Sequence, residues 1–258
     1  MINKKYLKLL RSTNRFQVDN FIYNIIAKRI VDSLELLKIN LNQVLELGIN
    51  ENKTYNYLKT KFPESKIHRA DLCVSKKNMD KKINFLEIDL DNLVLKNEFY
   101  NLVYSNCFLH LADDFEKNLR VILNSLKSDS FFIAAIPDKE NMIQVLNSMY
   151  ETDLYFYKGA YRRTNPSIEI ENILSVLKNL KFDTPSIYSD SFSINYSIFK
   201  NLLIDIKNMN LSYCHMDKKR KFEYKRYFNK LEEFYHQKYF KKEYYLDVKI
   251  NIISAWKK

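Results

Sequence analysis

The run Val44-Leu45-Glu46-Leu47-Gly48-Ile49-Asn50-Glu51-Asn52-Lys53-Thr54 constrains the fold of this chain more than any other stretch. A short apolar strand ends in an acid, a glycine turns the chain, and a helix begins. Strand, turn and helix at that density open a nucleotide-binding α/β unit, with the helix's free N–H groups at the carboxyl end of the strand, where a nucleotide-like ligand lies. Gly48 suits the turn because it tolerates φ > 0 and lets a ligand come close to the backbone. Where a glycine-rich loop would repeat that residue, the chain has Asn50 and Asn52. Asparagine enters the left-handed region more readily than most residues, so the turn is expected to survive with less space beside the ligand.

Hydrophobic periodicity extends the unit in both directions. A helix is expected over 19–37 with Asp19 at its start, then a strand at 43–47 and a helix over 52–61 stopped by Phe62-Pro63. A strand over 66–72 carries Asp71. A linking helix over 75–80 leads to a strand over 83–89 that ends in Asp89. A fourth strand, 100–106, ends in Asn106. A helix over 113–127 leads into a fifth strand, 130–137. Strands alternating with helices predict a parallel sheet covered on both faces. Beyond it the spacing predicts helices at 139–153, 168–180 and 198–209, and extended chain within 185–197. A long basic-aromatic helix is expected over 217–242, with Tyr224, Phe228, Leu231 and Tyr235 on its packing stripe, before a closing strand at 247–256. No internal repeat or Pro/Gly-rich linker divides the chain. The expectation is one domain, 1–258, made of an N-terminal arm and helix (1–42), a ligand-binding core (43–137) and acceptor- or partner-side additions (138–258).

Composition narrows the function classes. Net charge is +11, spread along the chain, which reads as solvated lysines; an acidic partner or anionic membrane surface is the other reading. Basic-aromatic runs such as Tyr155-Phe156-Tyr157-Lys158 could line an acceptor mouth or stack single-stranded nucleic acid, but no RNA-binding motif accompanies them, and no nucleic-acid partner is expected. Cys73, Cys107 and Cys214 are scattered with no C-x-x-C, which points to a reducing compartment and away from a disulfide framework or structural zinc. His215 and His236 are not clustered with carboxylates, so no metal site is expected. No apolar run approaches the roughly 18 residues of a membrane span. The basic segment 1–15 lacks the apolar core of a secretory signal and reads as a first helix, with a trimmed targeting remnant as the alternative; residues 11–16, just before the 19–37 helix, read as a polar, mobile or lid-like arm.

Acids at three strand ends, Glu46, Asp71 and Asp89, with Asn106 at a fourth, form a specific series. It resembles the class I S-adenosylmethionine-dependent methyltransferases, the small-molecule branch called type 11. The fold this implies is Rossmann-like α/β: a mostly parallel seven-stranded sheet with helices on both faces, an antiparallel last strand and helical additions in the C-terminal half. Glu46-Leu47-Gly48 stands where the family has an acid, an apolar residue and its first loop glycine. Asp71 matches the acid on the ribose hydroxyls, and Ile88-Asp89-Leu90 the segment that pairs with the adenine. Tyr100 to Asn106 is similar to the family's F-D-L-V-x-S-N strand. Ser105-Asn106, Leu109-His110 and Asp113-Asp114, with Asn195-Tyr196, Leu202-Leu203 and the closing Ile252 to Trp256, are similar to one subgroup. It contains the malonyl-carrier-protein methyltransferase of biotin synthesis and the assembly factor of respiratory complex I, whose family is linked to arginine hydroxylation. The chain departs from the family at Asn50, Asn52, Asn101 and Ser128-Asp129-Ser130.

The resemblance implies S-adenosylmethionine as cofactor, held by Glu46, Gly48, Asn50, Asp71, Leu72, Asp89, Leu90 and Asn106. Its sulfonium already activates the methyl, so the protein has mainly to hold donor and acceptor in line. Glu46 would take the methionine ammonium, Asp71 both ribose hydroxyls, and Asp89 the adenine amino group with Leu90 against the base. Asn106 would face the methyl. His110 reads as a structural histidine or a general base. The acceptor is a small molecule or a protein. The alternative is a catalytically degenerate fold acting as a complex I assembly factor or in protein-arginine hydroxylation, with a respiratory-complex subunit as partner. Bacterial cytoplasm and mitochondrial matrix both fit.

Overall fold

The apolar runs between residues 43 and 257 pair into one seven-stranded sheet. The computed structural model describes residues 1–12, 20–73, 84–165, 167–209, 213–218 and 223–258. The strands are β1 (Gln43–Leu47), β2 (Lys66–Asp71), β3 (Asn84–Glu87), β4 (Tyr100–Asn106), β5 (Leu126–Pro137), β6 (Asp183–Tyr196) and β7 (Tyr244–Lys257). Their order is β3-β2-β1-β4-β5-β7-β6. Pairing from β3 to β5 is parallel, and β7 runs antiparallel to both β5 and β6. The helices are α1 (Lys4–Ser12), α2 (Phe21–Glu35), α3 (Lys53–Lys61), α4 (Phe115–Ser125), α5 (Ile143–Tyr157), α6 (Ile170–Asn179), α7 (Phe199–Asn208) and α8 (Lys225–Tyr239).

Alternation along β5 shows why helices lie on both faces. Phe131, Ile133 and Ala135 pack in one core with residues of α2, α3, α5, α7 and α8. Phe132, Ala134 and Ile136 pack in a second with Leu7 of α1, Leu119 of α4 and Ile173 of α6. A central strand buried on both faces reads as a continuous apolar run, which is what 131–136 is.

Among the described residues the expected helices and strands are present, with shifted ends; of the arm expected at 11–16, Arg11 and Ser12 close α1 and the rest lies outside the described residues. The helix expected over 19–37 begins at Phe21; Asn20 is its cap, its side chain accepting from the Ile22 N–H at 2.9 Å, while Asp19 lies outside the described residues. The 75–80 helix is also outside them. The helix expected at 139–153 begins four residues later. Asp138 takes the Glu140 N–H at 2.9 Å, and Met142 sits at φ 59°, so a turn fastened to β7 occupies that stretch. The 217–242 helix is shorter, Lys225–Tyr239, and its buried stripe is Tyr227, Leu231 and Tyr235. Tyr224 is 64% and Phe228 43% exposed. With Leu231 and Tyr235 facing the core, the residue one turn earlier on that stripe is Tyr227, and Tyr224 stands before the first turn as the cap. Within residues 185–197 the extended chain is part of one long strand, β6. Opposite Asn101, β5 bulges at Ser128-Asp129-Ser130, with Asp129 at φ 57° as a single left-handed residue. Among the described residues no helix is long and apolar enough to cross a membrane.

Candidate functional site

The carboxyl ends of β1, β2 and β4 meet where a parallel sheet presents its ligand crevice. Gly48 leaves β1 at φ 88°, its N–H donating to the Ala70 carbonyl at 2.7 Å. A Cβ built there would lie 2.2 Å from Cβ of Phe108. The space that the glycine opens is therefore filled by the Phe108 side chain. Asn52 has φ −116°, and Gly48 is the residue of this loop with positive φ, so the asparagines do not supply the left-handed backbone expected of them. They work through their side chains instead. Asn50 Nδ2 donates to the carbonyls of Asn106 (2.5 Å) and Cys107 (3.3 Å), tying the loop to the end of β4.

Glu46, Asp71 and Asp89 are each met by a base of the same chain. Glu46 and Arg69 are opposite one another in the parallel register of β1 and β2. Arg69 Nη2 donates to Glu46 Oε1 at 3.1 Å, and its Nε donates to Oε2. The same guanidinium donates to Asn52 Oδ1 at 2.7 Å and to the Glu51 carbonyl at 2.8 Å, and lies 4.6 Å from the Tyr55 ring centre. With Asn52 so engaged, the start of α3 is closed by Glu51, whose Oε2 accepts from the Thr54 N–H at 2.9 Å. Burial pushes the Glu46 carboxyl up to about 7 against the pull of Arg69.

Asp71, at the end of β2, is equally enclosed. Arg11 of α1 donates through Nε to Oδ1 at 2.6 Å and through Nη2 to Oδ2. Oδ2 also accepts from the Ile49 N–H at 2.7 Å, and Arg11 Nη2 reaches Asn50 Oδ1 at 3.0 Å. The guanidinium stands 4.9 Å from the Phe108 ring centre. Beyond β3, Asp89 caps the short turn Leu90–Asn92 by accepting from the Asp91 N–H at 3.1 Å, while Leu90 is buried. Lys4 Nζ lies 2.9 Å from Asp91 and 3.8 Å from Asp89. Leu72 is buried beyond Asp71. Asn106 turns its carboxamide towards α2, Nδ2 donating to the Tyr23 carbonyl at 3.0 Å.

Of the eight residues read from sequence, Gly48, Asn50, Asp71 and Asn106 are joined by direct contacts at the ends of β1, β2 and β4, whereas Glu46 is tied to Arg69 and Asp89 caps a turn beyond β3; Arg11, Arg69 and Phe108, which meet them, were not among the eight. Arg69 has a sequence signal: a charge inside the apolar strand 66–72, two residues before Asp71 and on its face, needs a buried partner. Arg11 completes a Lys4-Lys8-Arg11 stripe at helical spacing. Phe108 has no such signal.

His110 lies in the short turn Leu109–Leu111 and is 8% exposed. Burial, with the charge of Arg11, holds its imidazole down at about 4, so it is neutral and a weak base. Beside it is a pocket of about 350 Å³ lined in part by Asp138, Met142, Tyr150, Arg162 and Asn165. These residues belong to the end of β5 and the additions beyond it.

Tested against S-adenosylmethionine, the frame fits in its glycine turn and in the carboxylate at the end of β2. The space does not. With α1 docked, both oxygens of Asp71 and the Oδ1 of Asn50 already accept from Arg11.

The sheet order, the antiparallel β7 and the crevice at the ends of β1, β2 and β4 define a class I methyltransferase fold. The chain is similar in structure to an S-adenosylmethionine-dependent methyltransferase from Archaeoglobus fulgidus (TM-score 0.53, 14% identity, 98% of this chain and 100% of that one). It is also similar to Haemonchus contortus phosphoethanolamine N-methyltransferase 2 in complex with S-adenosyl-L-methionine (TM-score 0.54, 14% identity, 98% of this chain and 56% of that one). No family model matches the chain. In sequence it is similar to the mitochondrial arginine-hydroxylase NDUFAF5 of Homo sapiens, 24% identical over 198 residues, 75% of this chain and 57% of that protein. The same protein of Dictyostelium discoideum is 22% identical over 215 residues, 74% of this chain and 48% of that protein. The chain spans about half the length of these curated relatives.

Proposed function

We propose that this chain is an S-adenosylmethionine-dependent, methyltransferase-like protein. Its cofactor crevice lies at the ends of β1, β2 and β4, and its acceptor is a small molecule or a protein. The observation that carries the reading is the conjunction of Gly48 at φ 88° with Asp71 at the next strand end, joined by the Ile49 N–H. The pocket beside His110 is the candidate acceptor site, formed where the β5 end meets the additions beyond it. The residues proposed to hold the cofactor remain Glu46, Gly48, Asn50, Asp71, Leu72, Asp89, Leu90 and Asn106. A solved relative in the same fold carries S-adenosyl-L-methionine, which supports the choice of cofactor.

A second reading is favoured by the internal pairing of Glu46 and Asp71. Two carboxylates already neutralised by Arg69 and Arg11 leave a fold that can serve as a binding module without cofactor. In that reading the chain acts as an assembly factor on a respiratory-complex subunit, in keeping with its similarity to NDUFAF5. The relatives' mitochondrial name favours the matrix over a bacterial cytoplasm.

Calorimetric titration with S-adenosylmethionine and S-adenosylhomocysteine separates the two. Micromolar binding that is weakened at least about tenfold by Asp71→Asn supports the cofactor reading, the loss expected when a charged hydrogen-bond acceptor is neutralised. Absence of binding by the wild type and by a variant with Arg11 removed leaves the assembly role.

A further inference from the structure

We infer that α1 is an internal occupant of the nucleoside half of the crevice, and that Arg11 and the ribose of a bound nucleoside compete for Asp71. The inference rests on the cofactor reading above and goes beyond it by naming what must leave before a ligand can enter.

Three bases of α1 stand at i, i+4 and i+7 and so share one helix face. Each meets an acid on the nucleoside side of the sheet. Lys4 reaches Asp91 and Asp89, Lys8 pairs with Glu87 at the end of β3, and Arg11 takes Asp71 at the end of β2. The lysine pairs are partly exposed and contribute little. The Arg11–Asp71 pair is different, because both side chains are only 3% exposed. A guanidinium offers two parallel N–H donors to one carboxylate. A vicinal diol offers two O–H donors in much the same arrangement, so Arg11 presents to Asp71 the pattern that a ribose would. It also occupies Asn50 Oδ1 and lies over Phe108. A nucleoside bound to Asp71 therefore meets Arg11 in its place.

The anchorage of α1 indicates which end moves. Just before the helix, the Ile2 N–H donates to Asp113 Oδ1 at 2.8 Å, and the Asn3 N–H to the Cys214 carbonyl at 2.7 Å. Ile2 also bridges to His215. These contacts hold the start of α1 outside the crevice, and the Arg11 turn is the end that swings away from it. The apparent affinity for a nucleoside is the intrinsic affinity multiplied by the fraction of molecules with that turn released.

The test is calorimetric titration of wild type and Arg11→Ala with S-adenosylhomocysteine. Alongside it, amide hydrogen exchange of α1 is followed in the wild type with and without the same ligand. The expected results are at least about tenfold tighter binding by Arg11→Ala, the gain when a largely closed state is opened, and faster exchange in the last turn of α1 when the wild type is saturated. Equal or weaker binding by a folded Arg11→Ala, with α1 as protected in the complex as in the free protein, overturns the inference and leaves the cofactor reading standing. Binding by neither protein removes both. If loss of the buried pair prevents Arg11→Ala from folding, the exchange measurement on the wild type decides alone: faster exchange supports competition and unchanged protection overturns it.

Discussion

Glu46 and His110 are buried titratable side chains whose protons are biased in opposite directions. Burial raises Glu46 from an ordinary 4.5 to about 7, despite Arg69. The folded protein therefore holds more protons there than the unfolded chain does between those values. The stabilisation linked to that proton is complete below 4.5 and is lost as pH rises through about 7. His110 falls from 6.5 to about 4, through burial and then the charge of Arg11. Its contribution is complete above 6.5 and is lost as pH falls through about 4. The two slopes oppose one another where they overlap, and single variants uncover each. In urea titrations across that range, Glu46→Gln should leave stability that rises with pH, and His110→Gln stability that falls with it. A slope unchanged from wild type in both variants would show that neither group is linked to folding.

At the scale of elements, α8 shows how far periodicity reaches. A stripe of Tyr224, Phe228, Leu231 and Tyr235 is consistent with apolar spacing alone, but the helix starts at Lys225 and buries Tyr227, Leu231 and Tyr235. Seven aromatic residues from 224 to 240 leave several adjacent stripes apolar, and the choice among them is made by packing against α5, β7 and α7. Tyr227 donates to Asp153 Oδ1 at 2.8 Å, and Tyr235 hydrogen-bonds to the Tyr245 carbonyl. Tyr227→Ala and Tyr235→Ala should each cost about 3–5 kcal/mol, the usual loss for a buried aromatic. Tyr224→Ala and Phe228→Ala should stay within about 1 kcal/mol. Midpoints and slopes of urea unfolding for the four variants check this, and a large loss at Tyr224 would place the stripe where sequence alone puts it.

At the scale of the molecule, strands from both halves of the chain share one sheet, with β7 inserted between β5 and β6. If 1–258 folds as one unit, Trp256 on β7 should report the same transition as the backbone. Its ring lies 4.8 Å from Phe131 on β5, so its fluorescence follows the join between the two halves. Thermal midpoints from tryptophan fluorescence and from far-ultraviolet dichroism should coincide; separate midpoints would divide the chain into two units. The sheet itself was legible in sequence because apolar runs of strand length alternate with amphipathic helices. The acids at the strand ends were legible because they recur at three successive strand ends, where one alone reads as a cap, as Asp89 is for the turn Leu90–Asn92. Their partners were not. Arg11 is distant in sequence from Asp71 and meets it only through the placement of α1. Arg69 requires the β1–β2 register, and Phe108 requires knowing what fills the space above a glycine.

The internal pairs also turn two positions into a key for reading other sequences. A relative with acids at the positions of Glu46 and Asp71 and bases at those of Arg69 and Arg11 would carry the same closed crevice. One that keeps the acids but has a small or apolar residue at the position of Arg11 would present a bare carboxylate at the end of β2. Aligned homologues should therefore sort at position 11 into those with a closed and those with an open nucleoside site, before any ligand is tried.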